Sequence, residues 1–110
     1  MKLKEHLAVE VMGWVRGKLT APHSGTYYCD SKNEKIWIDW DPIENIEQAF
    51  MLLDKFEQWG ISCNLIDNGY FVSIIEWPKE GRDQEWEAED KSLPIAICLA
   101  VGKATGWKDE

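Results

Sequence analysis

Three segments of the chain carry apolar residues at the three- and four-residue spacing of an amphipathic helix. The first covers residues 3–15, the second follows Asp41, and the third follows Ser92. Asp41, Pro42 and Glu44 indicate a helix start, because a carboxylate caps the first turn and proline fits the first helical position. Ser92 is a capping residue for the third helix. The three apolar faces comprise Leu3, Leu7, Val11, Met12, Trp14 and Val15; Ile46, Ala49, Phe50, Leu53 and Phe56; and Leu93, Ile97, Ala100, Val101 and Ala104.

Strands are predicted where β-branched and aromatic residues cluster between turn signals. The predicted strands are residues 26–29, 35–40, 61–66, 70–77 and 84–89. Residues 16–25 are rich in turn formers and predict a loop before the first hairpin. Asn68-Gly69 supplies the positive φ angles of a tight two-residue turn, and therefore predicts a second hairpin. Glutamate alternates with Trp86 and Ala88 in the last strand, as expected of a charged sheet edge.

The predicted order is helix, two strands, helix, three strands, helix (α-β-β-α-β-β-β-α). Short connections between neighbouring strands favour a mostly antiparallel sheet, and the apolar helix faces need a sheet to pack on. We therefore expect an α+β fold, a layered α/β/α sandwich with one sheet of about five strands and about three helices. A chain of 110 residues is the usual size of one domain, here residues 1–110.

Three short segments resemble the phage ABA sandwich domain family, whose members are small proteins of bacteriophages and prophages. The segments are EVMGW at 10–14, Trp40-x-Pro42 followed by Asn45, Ile46 and Ala49, and AEDKSLPIAICLA at 88–100. One departure is that the family usually has Ser or Thr capping residues after W-x-P, where this chain has Ile43 and Glu44. The resemblance implies the sandwich fold and a phage origin. It implies no activity and no functional residue.

Charge limits the classes of partner. The formal net charge is −8, which repels phosphates and argues against direct binding of DNA or RNA. A basic protein partner remains open. Acidic residues concentrate between 76 and 90, and two interpretations remain: a solvated strand and loop, or the surface of a DNA-mimicking inhibitor.

Residues that carry catalytic chemistry are few. Cys29, Cys63 and Cys98 form no CxxC pair, which indicates free thiols in a reducing cytoplasm and no metal. His6 and His23 are expected at the surface, apart from each other. Without a nucleophile motif or a phosphate-binding loop, we expect no enzyme activity and no cofactor. No apolar run is long enough to predict a membrane span.

Seven tryptophans are many for this length. Most border predicted elements, where core packing explains them. A second interpretation is a binding surface for a base, a nucleotide or a protein, with a nearby basic residue at Arg16 or Lys18. Its predicted residues are Tyr27, Tyr28, Trp37, Trp40, Trp86 and Arg16.

Three functional hypotheses follow, and a fourth, an enzyme, is the least favoured because it would need a deep pocket lined by His6, His23 or clustered acids. The first is a non-enzymatic accessory protein of a phage or prophage, which binds a host or phage protein or assembles with itself. The second is a protein that sequesters a small ligand such as a nucleotide signal of host defence. The third is an acidic DNA mimic. The sequence leaves all three open.

Overall fold

The computed structural model describes residues 2–18, 26–29, 36–37 and 40–108. The helices are α1 (Leu3–His6), continued by a π-helical turn (Leu7–Val11), α2 (Ile46–Met51), continued by a 3-10 turn (Leu52–Lys55), and α3 (Leu93–Ala104). The strands are β1 (Val15–Lys18), β2 (Thr26–Cys29), β3 (Ile36–Trp37), β4 (Trp59–Ile66), β5 (Gly69–Glu76) and β6 (Gln84–Asp90). The α+β class is confirmed.

The described strands form two antiparallel three-stranded sheets, β1-β2-β3 and β4-β5-β6. The predicted number of about five strands is confirmed to within one, but the described strands form two sheets where one was predicted. In each sheet the strands pair with their neighbours in sequence, while α2 lies between β3 and β4 in the chain. The helices form a layer that contacts both sheets, because the π-helical turn packs on β1 and α3 packs on β5 and β6. The described elements are thus consistent with a layered sandwich in which the helices lie next to two sheets.

The first helix ends earlier than its apolar spacing predicts. Gly13 adopts a φ of +72°, which ends the helical turn at Val11. Val15 then begins β1, so the predicted loop at 16–25 is wrong for its first three residues. As a result Val15 leaves the apolar face of the helix, and 62% of its surface is exposed.

The second helix starts later than predicted. Its N-cap is Asn45, whose Oδ1 accepts a hydrogen bond from the Gln48 backbone N–H at 3.1 Å. Asp41 instead donates its backbone N–H to the side chain of Gln48. The change to a 3-10 turn after Met51 rotates the buried face: Leu52 and Leu53 are buried, and Phe50 is exposed.

The second hairpin is confirmed, with its turn shifted by one residue. Ile66 pairs with Gly69, so Asp67 and Asn68 form the two-residue connection. Gly69 is still required, because its φ is +149° and a Cβ there would lie 2.4 Å from the backbone oxygen of Asp90. The end of β6 therefore packs directly over this glycine.

The third helix is confirmed in its start and its end. Ser92 Oγ accepts from the Ile95 N–H at 3.5 Å, and Gly106 follows the helix with a φ of +85°. Both sides of the helix are covered. The core cluster joins this helix to the strands and to the other helices through Leu7, Leu52, Leu53, Val72, Ile74, Ala88, Ile97 and Val101.

Candidate functional site

The predicted aromatic surface is not assembled in the described residues. Tyr28 and Trp40 are both buried, and Trp40 packs edge-to-face on Trp14 with ring centroids 4.7 Å apart. Burial of Tyr28 also raises the pKa of its hydroxyl. These two rings belong to the core and are not available to a ligand at the surface.

The other predicted site residues lie in separate places. Tyr27 is half-buried and its ring lies against Gly17 of β1. Arg16 donates from Nη1 to Glu5 Oε1 at 2.8 Å. Trp86 is in the other sheet and stacks on Phe56, with centroids 5.7 Å apart. The side chain of Trp37 lies outside the described residues. Binding by this set stays a prediction, without a shared surface among the residues described.

His6 is buried, so the prediction of a surface histidine is wrong. Its Nε2 lies 2.7 Å from Thr105 Oγ1, and that hydroxyl donates to the Val101 carbonyl at 2.8 Å. Because the hydroxyl proton is used there, the His6 ring donates from Nε2. Burial lowers the pKa of His6. This histidine joins the first and last helices, and His23 lies outside the described residues.

The thiols differ in environment. Cys98 is buried, and its Sγ donates to the Pro42 carbonyl at 3.3 Å. Burial raises the pKa of Cys98 to about 12, so it stays a thiol and is not a nucleophile at neutral pH. Cys63 is exposed on β4. In the part of the chain that the structure describes, no three His, Cys, Asp or Glu residues lie close enough to hold a metal ion.

An open sheet face is the most prominent described surface. We call it the outer face: the side of β4-β5-β6 opposite to α3. Val72 and Ile74 point to the core, so the alternate residues Phe71, Ser73 and Ile75 point outward. Ile75 is 36% exposed, and Trp77, which follows the strand, is 42% exposed.

Acidic side chains flank this apolar stripe. We call Glu85, Glu87 and Glu89 of β6 the acid ladder; all three are exposed on the outer face, and they pair with Ile75, Ser73 and Phe71 of β5. A hydrogen bond with the Glu85 side chain, followed by desolvation and the charge of Glu85, raises the pKa of Glu87. Within the described residues, none of the three forms an ion pair. Lys103 is the cation beside the ladder: its Nζ donates to the backbone carbonyl of Glu87 at 2.6 Å, and its charge partly offsets the rise in the pKa of Glu87. The ladder has three carboxylates beside this one ammonium group, and therefore presents a surplus of negative charge.

The sequence contained a signal for this face. Residues 70–77 are apolar at both odd and even positions, a pattern typical of strands covered on both faces. Among the residues that the structure describes, the helices cover only the core-facing side of this sheet. Period-two spacing shows which residues share a face, but it cannot show that the second face is left open.

A surface pocket of about 340 Å³ lies near the tip of the second hairpin. Its lining residues are Ile66, Asn68, Glu89, Asp90 and Lys91. Two carboxylates beside one amine are a poor environment for a phosphate, because the negative charges repel it. None of the predicted aromatic residues lines this pocket.

The three segments that carry the family resemblance meet in the core. Trp14 from the first segment contacts Trp40 from the second, and the Cys98 thiol from the third bonds to Pro42 from the second. A family model, the phage ABA sandwich domain, matches residues 5–101. The chain belongs to this family. Trp14, Trp40, Pro42 and Cys98 are all buried, so these four positions of the phage ABA sandwich resemblance contribute to packing of the core.

No curated protein and no solved structure matches this chain. The family description associates the phage ABA sandwich domain with phages and states no molecular activity. In the described residues, no helix has the length and apolar character needed to cross a bilayer.

Proposed function

We propose that this phage ABA sandwich domain is a non-enzymatic binding module of the host cytoplasm, and that its outer face binds a basic, partly apolar surface of a host or phage protein. The observation that carries the proposal is the open apolar stripe of β5 beside the acid ladder of β6. Exposed apolar residues with a charged rim are typical of protein-binding sites.

The apolar part provides the area that binding buries. Ile75 and Trp77 lie on the same side of the sheet, and Trp77 extends over Gly60 of β4, where a Cβ would be 3.3 Å from its ring. Tryptophan buries a large area with few rotatable bonds and is enriched among the residues that dominate binding energy. The stripe therefore supports contact with another protein more than with solvent.

The acid ladder defines the chemistry of the partner. Side chains two residues apart on a strand are separated by about 6.6 Å, so three carboxylates form a row about 13 Å long. Such a row attracts lysine and arginine, and it speeds up association with a basic partner. The raised pKa of Glu87 comes mainly from its hydrogen bond with the Glu85 side chain, then from desolvation and from the charge of Glu85. A cation placed between the two carboxylates would favour the charged form of both. We therefore expect affinity to increase as pH rises through that pKa.

The test compares capture of partners by matched variants. One variant carries Glu85→Gln, Glu87→Gln and Glu89→Gln, and the control carries the same charge change at three other exposed acids, Glu44→Gln, Glu47→Gln and Glu57→Gln. Immobilised wild-type protein and both variants are exposed to extracts of infected cells, and each captured protein is then purified and titrated calorimetrically. We expect a basic partner that the control retains and the ladder variant binds at least about tenfold more weakly, or about 1.4 kcal/mol.

The proposal would be contradicted if the ladder variant bound the captured partner as tightly as the control does. It would also be contradicted if the partner were acidic, or if no partner were captured. Ile75→Ser provides a second test, because it removes apolar area and leaves the net charge unchanged. Its partner affinity should fall without a change in the salt dependence of binding.

A DNA mimic is a special case of the same surface, and the regular spacing of the exposed ladder favours it. In that case the captured partner is a DNA-binding protein. Duplex DNA should displace this phage ABA sandwich domain from it in a competition titration. Displacement by DNA identifies the mimic, and simultaneous binding of both excludes it.

A further inference from the structure

The two edges of the second sheet have opposite characters. β4 is one edge and β6 is the other. The sequence of β4 is WGISCNLI, with no charged residue and no proline, whereas β6 carries the acid ladder and Asp90. Charged side chains at a sheet edge discourage pairing with another strand, and an uncharged edge permits it.

The outer edge of β4 carries a row of backbone hydrogen-bonding groups without a strand partner among the described residues. The two-residue turn closes on Ile66 and Gly69, and Trp77 donates its N–H to the Gln58 carbonyl at 2.9 Å. In an antiparallel ladder such bonded pairs alternate, so even-numbered residues of β4 bond to β5. Odd-numbered residues, including Ile61, Cys63 and Leu65, direct their N–H and C=O groups away from it. No described strand pairs with that edge.

The second half of β4 also extends beyond the helical layer. α3 packs on β5 and β6, and β4 packs on β5. Residues 62–66 are all exposed, and Leu65 exposes 79% of its surface although it shares the core-facing side with Ile61. At this edge, the core-facing side of the sheet is therefore not covered by the described helices.

We propose that a second copy of this chain completes the sheet by antiparallel pairing of β4 with β4. The observation that favours a second copy is that β4 is complementary to itself. A twofold axis at Cys63 places Leu65 opposite Ile61 of the other copy on the core-facing side, and Ser62 opposite Asn64 on the outer face. Apolar residues meet apolar ones, and polar residues meet polar ones.

The charge distribution agrees with this arrangement. Each copy has a net charge of −8, so association needs a contact without opposed carboxylates. The uncharged β4 provides it, and the acid ladders lie at the far ends of the resulting six-stranded sheet. Because one strand pair buries little area, we expect a dissociation constant of roughly micromolar magnitude.

The experiment measures the mass of the intact chain by sedimentation over a concentration series from about 1 µM to about 500 µM, a range that brackets the expected constant. Wild-type protein should change from monomer to dimer. Leu65→Glu should weaken dimerisation at least tenfold, because it places an acid opposite Ile61 in each half. Val15→Glu is the matched control, since it replaces another exposed aliphatic residue, on the first sheet, and should dimerise as the wild type does.

A thiol cross-link checks the register. Residues opposite each other in a bonded antiparallel pair have Cα atoms about 5.5 Å apart, so a short bis-maleimide should join Cys63 to Cys63. Cys63→Ser should abolish the cross-link and keep the dimer. A monomer at every concentration would overturn the proposal, as would a dimer that Leu65→Glu leaves intact or cross-links that survive in Cys63→Ser. The outer face is a separate surface, so either proposal can fail alone.

Discussion

Two adjacent isoleucines of β5 allow a controlled test of which sheet face is buried. Ile74 has no exposed surface, and Ile75 has 36% of its surface exposed on the outer face. Alanine at either position removes the same three carbons. The two residues share one strand and its backbone, and the part of β-propensity that differs between the two faces is itself side-chain packing and burial. The difference in unfolding free energy between the two variants therefore reports burial and packing alone.

The expected magnitudes follow from the carbon atoms removed. Each buried methylene-sized group contributes about 0.8 kcal/mol, so Ile74→Ala loses about 2.4 kcal/mol of transfer free energy. A cavity adds to this cost, for a total of about 3–4 kcal/mol, within the range of buried aliphatic truncations. Ile75 is roughly two-thirds covered and leaves a space that water fills, which gives about 1.5 kcal/mol.

Urea titrations followed by tryptophan fluorescence measure both variants against the wild type. The difference of about 1.5–2.5 kcal/mol corresponds to a Tm gap of roughly 6–20 °C for a domain near this size. Equal losses at the two positions would refute the orientation of β5, and a larger loss for Ile75→Ala would reverse it. Partner binding should show the opposite order of effects: Ile75→Ala should weaken partner capture, whereas Ile74→Ala, if folded, should not.

Two further predictions concern stability. Burial lowers the pKa of His6 below its unfolded value of 6.5, so its contribution to stability is complete above pH 6.5 and is lost as pH falls through the folded pKa. The variant His6→Gln keeps a donor for Thr105 and should reduce this loss of stability, measured by urea titrations between about pH 5 and about pH 7.5. An unchanged pH dependence of the unfolding free energy would contradict the role of His6. Gly69→Ala should destabilise the second hairpin by at least about 1–3 kcal/mol because of the positive φ at this position, and the contact with Asp90 adds to this loss. A melting temperature equal to that of the wild type would show that the backbone tolerates a Cβ at residue 69.

Local signals predicted local structure well. Ser92 and the spacing of Ile97 and Val101 locate the third helix, because the cap and the periodicity lie in the same stretch of chain. The start of the second helix was missed because Asn45 and Asp41 both resemble caps, and only the backbone conformation decides between them. Asn45 has the extended conformation of an N-cap, and its side chain reaches Gln48.

Long-range contacts explain the missed functional assignments. His6 is buried with its Nε2 at hydrogen-bond distance from Thr105 Oγ1, 99 residues away, and no spacing rule connects the two. Tyr28 and Trp40 were candidates for a surface because alternation in a strand does not reveal which face the core covers. The open outer face was missed for the same reason.

The unequal edges of the second sheet also limit how far the protein can polymerise. If pairing through β4 uses up the only uncharged edge of this sheet, both ends of the enlarged sheet carry carboxylates from β6. A third copy would meet repulsion at either end, so growth stops at two subunits. Replacing the glutamates of β6 by uncharged residues would remove this repulsion. The variant should then form fibrous aggregates at high protein concentration.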